Sequence, residues 1–437
     1  MQDLRFHFKQ LLKFSTPIIL GQLGMMLIMV GDVFIASIYS TEAVAATGLA
    51  NAFFMPFLLL GIGLVIGVSP KLSVKLGRGE KIHHYLISLI CYGTLIGIFL
   101  SLILDYGIFF IKFFGYEKLL VSNMLIYWDI IVWSLVFAIL YEVLKEFLQA
   151  KQKVIYANVV AIVCVFLNIV INYILVFGKF GFPELGIAGL AYTSFAIRVI
   201  MFVALLFPLL KQINYFKVEW PFIKEIFDFS LPIALMTFFE VLAFSTISMI
   251  AAKFGTISAA ANYIVLNIAS TAFIIPLSIS RASSVKIGHC KGAGDIRLVK
   301  TYTQASLILA LIFTTISCTV FVIFPEQLIK LFSKDTHVIL LGVELMFVVA
   351  LFQLSDGLQV TLQGILRGLE QTKIPSFVVV GVFWLIGIPL GVLLAFYTVL
   401  ESQGIWIGIA ASLVLVSIFL AILLKKTLQN ETRQLSL

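Results

Sequence analysis

Phe229–Ala252 reads FSLPIALMTFFEVLAFSTISMIAA, twenty-four residues that carry a single charge, Glu240, near their middle. About twenty apolar residues cross a bilayer as a helix. An ionised carboxylate in hydrocarbon costs several kcal/mol, roughly 2.5 or more, so Glu240 is expected to face a polar cavity or a partner and not lipid. Asp32 and Asp356 stand in the same predicament, each inside its own apolar run.

Working outward, apolar runs of this length recur along the whole chain. They predict helices near 14–38, 49–70, 85–110, 122–148, 154–177 and 186–210, then near 227–252, 260–282, 302–324, 337–365, 376–398 and 404–424. The fold class is therefore an all-α polytopic membrane protein with twelve transmembrane helices in two pseudo-symmetric six-helix lobes. A chain of 437 residues that is 61% hydrophobic and 12% charged has too little polar surface for a soluble domain.

The basic residues check the count, since short cytoplasmic loops retain Lys and Arg. With both termini inside, 23 of the 30 fall in inner segments, six in outer ones, and Arg198 lies within the sixth helix. The net charge of +8 then reports topology and contact with anionic lipid headgroups, with no nucleic-acid partner implied. The N-terminal run is longer than a signal-peptide core and reads as an uncleaved first helix. Cys91, Cys164, Cys290 and Cys318 lack the spacing of a metal or redox site and read as packing residues.

The two halves repeat. Phe14-Ser15-Thr16-Pro17 matches Phe229-Ser230-Leu231-Pro232 at an offset of 215, and Ser73-Val74-Lys75-Leu76-Gly77 matches Ser284-Val285-Lys286-Ile287-Gly288 at 211. Pro56 and Pro276 each read as an interruption of a second helix. An even number of helices per half makes the repeats parallel. The domain organisation is an N-terminal lobe over 1–210, a cytoplasmic linker over 211–224 that contains Tyr215, Trp220 and Pro221, and a C-terminal lobe over 225–437. Two such lobes meeting at a cleft is a geometry for alternating access, although duplicated bundles serve other functions too.

Three groups of polar residues decide among those functions. Around Glu240, helical spacing gathers Met236, Thr237, Ala243 and Phe244, a carboxylate with an aromatic ring and a thioether that suits a lipophilic cation. Gln353, Asp356, Gln359 and Gln363 form a polar stripe on the tenth helix, oxygen-rich and suited to a hard monovalent ion or a proton. Asp32 shares a face with Gln22, Met25 and Met29, and Asn168 with Asn172 can complete a polar site beside it. Any of the three acids can exchange a proton for a cation, or be structural, and Asp32 has a candidate salt-bridge partner in Arg198. Glu142 and Glu146 are expected to reach the inner loop. No Gly-rich phosphate loop is present, so nothing supports direct ATP coupling.

With these motifs in place, the chain resembles the multidrug and toxic compound extrusion (MATE) family in its NorM-type branch. The likeness runs through Val30-Gly31-Asp32, Phe166-Leu167-Asn168 to Gly181, Leu231-Pro232 to Glu240, and Ser355-Asp356-Gly357-Leu358-Gln359 to Gly368. It implies a cation-coupled antiporter, a secondary transporter and no enzyme, that expels organic cations and amphipathic drugs on a Na⁺ or H⁺ gradient. It implies no cofactor beyond the coupling ion, and a monomer with cytoplasmic termini in a bacterial inner membrane. Glu240 and Asp356 match the family's C-lobe cation site, where Na⁺ is a candidate metal; Asp32, Asn168 and Asn172 match its polar N-lobe cluster, a site for protons or cations; Phe273 matches a pocket aromatic. Arg198 departs from the pattern, as a basic residue where the sixth helix has none, and is a candidate modulator of Asp32 or of substrate charge. The alternative is an exporter or flippase of an endogenous amphipath such as a lipid-linked sugar, and a membrane-embedded enzyme or scaffold fits least.

Overall fold

A computed structural model of the chain describes residues 2–212 and 217–434, and within them there is no strand. Twelve helices among the described residues are long and apolar enough to cross a membrane. They are α1 (Leu4–Tyr39), α2 (Thr41–Gly77), α3 (Tyr85–Ile111), α4 (Lys118–Ala150), α5 (Val154–Phe177) and α6 (Ile187–Leu210), followed by α7 (Trp220–Phe254), α8 (Thr256–Gly292), α9 (Ile296–Ile323), α10 (Thr336–Gly368), α11 (Lys373–Tyr397) and α12 (Glu401–Arg433). All twelve overlap the runs read from the sequence.

Their ends differ in one consistent way. α1 starts ten residues before its apolar run, and α2, α8 and α12 extend to 77, 292 and 433. The added turns carry Arg5, Lys9, Lys13, Lys75, Lys286, Lys291, Lys425 and Lys426. Hydropathy stops where charge begins, but backbone hydrogen bonding does not, so these helices continue past the hydrocarbon as polar stubs.

Local chemistry sets the boundaries. The Ser40 hydroxyl accepts from the Ala43 N–H at 3.0 Å and starts α2 one residue after α1 stops. Asp295 accepts from Leu298 N–H at 2.9 Å and Asp335 from His337 N–H at 2.8 Å, each capping the helix that follows. α5 ends on Gly178 at φ +63°. α7 begins at Trp220, within the segment read as a linker, and Pro221 stands in its first turn, where a missing N–H costs nothing. Residues 213–216, with Tyr215 among them, lie outside the described residues.

The prolines correct the sequence reading. Pro56 and Pro276 both lie inside continuous helix. The break in α2 comes later, between Val65 and Val68 at Ile66 and Gly67. Proline costs less in packed membrane helices because neighbouring groups and local adjustments satisfy the freed carbonyl. α11 shows such an adjustment as one π turn over Phe383–Gly387, just before Pro389.

The chain forms two compact units: Pro17–Leu72 with Glu80–Ala234, and Met1–Thr16 with Ser73–Gly79 and Leu235–Leu437. They repeat one packing scheme. In the first, α4 packs against α2, α3 and α6; in the second, α10 packs against α8, α9 and α12, the same partners displaced by six helices. α1 passes from one unit to the other at Thr16 and Pro17, and α7 does so just beyond Pro232.

The tertiary contacts also correct the register of the repeat near the C-terminal ends of α2 and α8. Lys71 lies 5.0 Å over the Phe229 ring in the first unit, and Lys286 lies 5.0 Å over the Phe14 ring in the second. Phe14 and Phe229 are 215 apart, and so are Lys71 and Lys286. The structural counterpart of Lys286 is thus Lys71, one helical turn before the Lys75 that sequence matching selects. Gly77 and Gly292, again 215 apart, meet backbone to backbone: a Cβ on Gly77 would run into the His289 carbonyl oxygen, and one on Gly292 into that of Val74. Small residues at such crossings let membrane helices approach closely.

A second correction concerns α4. Its C-terminal end buries Glu142, Lys145, Glu146 and Gln149. Lys145 Nζ pairs with Glu142 Oε1 at 2.8 Å and Gln149 Nε2 donates to Glu146 Oε1 at 3.0 Å. These charges do not lie in a solvated loop, because α4 is the innermost helix of its unit to its last turn.

Candidate functional site

Each unit holds one of the two polar centres. In the first, α1 supplies Asp32, α5 supplies Asn168 and Asn172, and α6 supplies Ser194. Asn168 Nδ2 and Asn172 Nδ2 both donate to Asp32 Oδ1, at 2.9 and 2.7 Å. Ser194 Oγ donates to Oδ2 at 2.9 Å. The two asparagines, one turn apart, are fully buried, and a buried amide needs partners. Their Oδ1 atoms remain buried without one, so the centre retains two free acceptors beside the carboxylate. Gly31 makes this possible, since a Cβ there would press on Asn168 Oδ1 at 3.1 Å.

Arg198 is held elsewhere. Its guanidinium lies 4.7 Å over the Phe54 ring of α2, and Nη1 donates to Ser134 Oγ of α4. No ion pair within 4.0 Å joins it to Asp32 among the described residues. The salt bridge anticipated from the sequence is replaced by a cation–π contact one helical turn from Ser194. Ser194, Ser134 and Phe54 escape a reading that looks for charges. Ser194 alone had a signal, because it precedes Arg198 by four residues on the same face of α6.

In the second unit, α7 supplies Glu240 and α10 supplies Asp356 and Gln359. Gln359 Nε2 donates to Glu240 Oε1 at 2.8 Å. Asp356 stands one turn before Gln359 on α10. Neither acid pairs with a basic side chain among the described residues. Gln353, 1% exposed, leaves both amide atoms without a partner, and Gln359 Oε1 is likewise free. Two carboxylates and free amide oxygens form an oxygen-rich donor set, the kind a hard cation or a proton takes.

The remaining expected pocket residues divide. Met236 is buried one turn before Glu240 on α7. Phe244, one turn after it, is tilted against Phe383 at a centroid distance of 6.3 Å. Phe273 is half-buried on α8, away from any stacked ring among the described residues. The structure also adds Trp384 of α11, whose Nε1 donates to the Phe239 carbonyl at 3.1 Å and fixes α11 beside the Glu240 turn. No group of three or more His, Cys, Asp or Glu side chains that could hold a metal occurs among the described residues.

The charges of the two centres therefore differ. The first combines one acid with a nearby arginine, and the second presents two acids with no basic partner among the described residues.

A family model described as MatE matches residues 17–174 and again 232–393. The two matches open on Pro17 and Pro232, the proline pair of the repeat. A Mesorhizobium japonicum protein named probable multidrug resistance protein NorM is 30% identical over 98% of this chain and 95% of its own length. A Yersinia pseudotuberculosis protein named multidrug resistance protein MdtK is 26% identical over 97% of this chain and 96% of its own. The crystal structure of a eukaryotic MATE transporter, AtDTX14, superimposes with a TM-score of 0.86 at 20% identity, covering 99% of this chain and all of that one; this likeness is one of fold.

Proposed function

The chain belongs to the MATE family, in its NorM-type branch, and on that premise we propose a multidrug antiporter that exchanges Na⁺ or H⁺ for organic cations and amphipathic drugs. Transport is secondary and proceeds by alternating access in a bacterial inner membrane, with both termini in the cytoplasm. One observation carries the reading: Glu240, bonded to Gln359, and Asp356 one turn away from that glutamine give an oxygen-lined pair of acids with no basic partner among the described residues.

A proton or cation held by such a pair lowers the negative charge left for a second cation, so coupling ion and organic cation compete. A coupling ion that neutralises Glu240 and Asp356 displaces an organic cation, and the reverse exchange follows by the same competition. Coupling to conformation requires each ligand to favour a different arrangement of the chain. Met236 and Phe244, one turn to either side of Glu240, give an adaptable thioether and a ring for the apolar part of a drug. Asp32, Asn168 and Asn172 form a second proton or cation site, tuned by Arg198. The lipid-linked-sugar alternative gains nothing from the geometry, because Arg198, the basic residue it would use, is committed to Phe54 and Ser134.

The test is efflux of a fluorescent organic cation from proteoliposomes, with Na⁺ and H⁺ gradients imposed separately. The effective gradient names the coupling ion. Asp356→Asn and Glu240→Gln should each abolish gradient-driven efflux with insertion unchanged; full efflux in either variant removes that acid from the mechanism. No efflux by the folded wild type under either gradient overturns the reading as a whole.

A further inference from the structure

A cleft of about 470 Å³ lies where α9 begins and α12 ends, lined by Lys300 of α9 and by Lys425, Leu428, Gln429, Thr432 and Arg433 of α12. The α12 residues recur at intervals of three, one, three and one, so they share a single helix face. Three of the six lining residues are cationic, and none is acidic. The one acid on this stretch, Glu431, is drawn to the other side of α12 by Lys291 at 3.0 Å, which also bonds Glu370 at 3.4 Å. Lys300 and Lys425 are exposed and pair with no acid among the described residues. Leu428 gives the cleft an apolar floor, while Gln429 and Thr432 add groups able to bond a phosphate oxygen.

The position of the cleft narrows the ligand. Lys300 stands in the second turn of α9, and Lys425 follows the last apolar residues of α12, so both lie where the helices leave the hydrocarbon on the face that carries the basic loops. Deeper on the same side of α12, Ile422 is 61% exposed and Ile418 and Phe419 about half exposed; on α9, Ile308, Leu311 and Ile312 are exposed. A basic cleft at interfacial depth above an apolar surface suits a molecule with an anionic head and hydrocarbon tails. A free phosphate would use only the upper half.

We infer that this cleft is a binding site for the phosphate headgroup of an anionic glycerophospholipid, whose acyl chains lie along α9 and α12. The site is separate from the transport centres and does not rest on the antiport reading.

The test is native mass spectrometry of the full chain in neutral detergent, titrated with phosphatidylglycerol or with phosphatidylcholine of the same acyl chains. Wild type should retain phosphatidylglycerol in preference. The double substitution Lys300→Gln with Lys425→Gln should weaken that retention by about twenty-five-fold, at about fivefold for each lysine near an anionic headgroup, and leave phosphatidylcholine unchanged. Lys300→Arg with Lys425→Arg should preserve it. Lys217→Gln with Lys224→Gln, which removes the same charge elsewhere on the inner face, should have no effect. Soluble glycerol 1-phosphate should not displace the lipid at comparable concentration. Equal retention of the two lipids by wild type, unchanged retention in the glutamine double variant, equal loss in the Lys217/Lys224 variant, or ready displacement by glycerol 1-phosphate would each overturn the assignment.

Discussion

Replacing Asp32 by alanine and, separately, by asparagine divides its architectural role from its role as a charge. The carboxylate accepts from Asn168 and Asn172 on one oxygen and from Ser194 on the other. In Asp32→Asn the remaining oxygen can keep both asparagine amides, and the new NH₂ group meets Ser194, whose hydroxyl turns to accept from it. In Asp32→Ala both acceptors vanish. The Ser194 hydroxyl can fall back on a carbonyl of its own helix, but the Asn168 and Asn172 amides are fully buried and have no such exit. At about 1–3 kcal/mol for each stranded buried donor, Asp32→Ala should lose about 2–6 kcal/mol of stability. Asp32→Asn weakens three charge-assisted bonds but removes the cost of a half-buried charge, so its net change should stay within about 2 kcal/mol. Thermal unfolding of both variants in one detergent, alongside the efflux assay, measures the difference. Alanine should unfold several degrees below asparagine. Equal unfolding temperatures would refute the three-donor cage. A stable Asp32→Asn protein that no longer transports assigns the charge itself to the mechanism, whereas one that transports normally leaves Asp32 an architectural role alone.

The remaining predictions concern packing and pH. Gly77→Val and Gly292→Val should each sharply lower the yield of monodisperse protein, because the added side chain meets backbone and cannot be relieved by a rotamer change, whereas Gly48→Ala, with nothing within 4 Å of its Cβ, should be neutral or stabilising by up to about 1 kcal/mol. Just beyond α4, Lys151 Nζ approaches His83 Nδ1 at 3.1 Å and donates to Gln212 Oε1 at 2.6 Å. Burial, and next the Lys151 ammonium, hold the His83 imidazole below its ordinary value of 6.5. The unfolded chain then takes up a proton that the folded chain refuses, so the His83 contribution is full above that value and is lost as pH falls below it. His83→Gln should reduce the fall in unfolding temperature between about pH 7.5 and about pH 5.5, and an unchanged fall would refute this reading. Phe54→Ala should free the Arg198 guanidinium, worth about 1–2 kcal/mol in a desolvated cation–π contact, and destabilise the protein more than Phe54→Trp, which keeps a ring there.

The sequence alone determined the membrane class, the twelve helices, the repeat and the presence of three acids inside apolar spans, because each of these is a local property. A bilayer demands length and apolarity from every span, and a charge that violates the pattern shows itself without reference to any neighbour. The link of Asp32 to Asn168 and Asn172 was within reach for the same reason, since an asparagine pair one turn apart in a lipid-length helix must find a polar partner somewhere.

What only the tertiary structure decided are the pairings among helices far apart in the chain. Hydropathy cannot say that Arg198 leans on Phe54 and Ser134 and does not bridge to Asp32, because that outcome depends on how α2, α4 and α6 pack. It cannot show that Glu142 and Glu146 are buried, since Lys145 and Gln149 beside them in sequence fit a solvated helix end as well as a buried polar cluster. Nor can residue matching place Lys71, not Lys75, opposite Lys286. Similar short motifs recur one helical turn apart, and only the aromatic ring that each lysine covers tells the two registers apart.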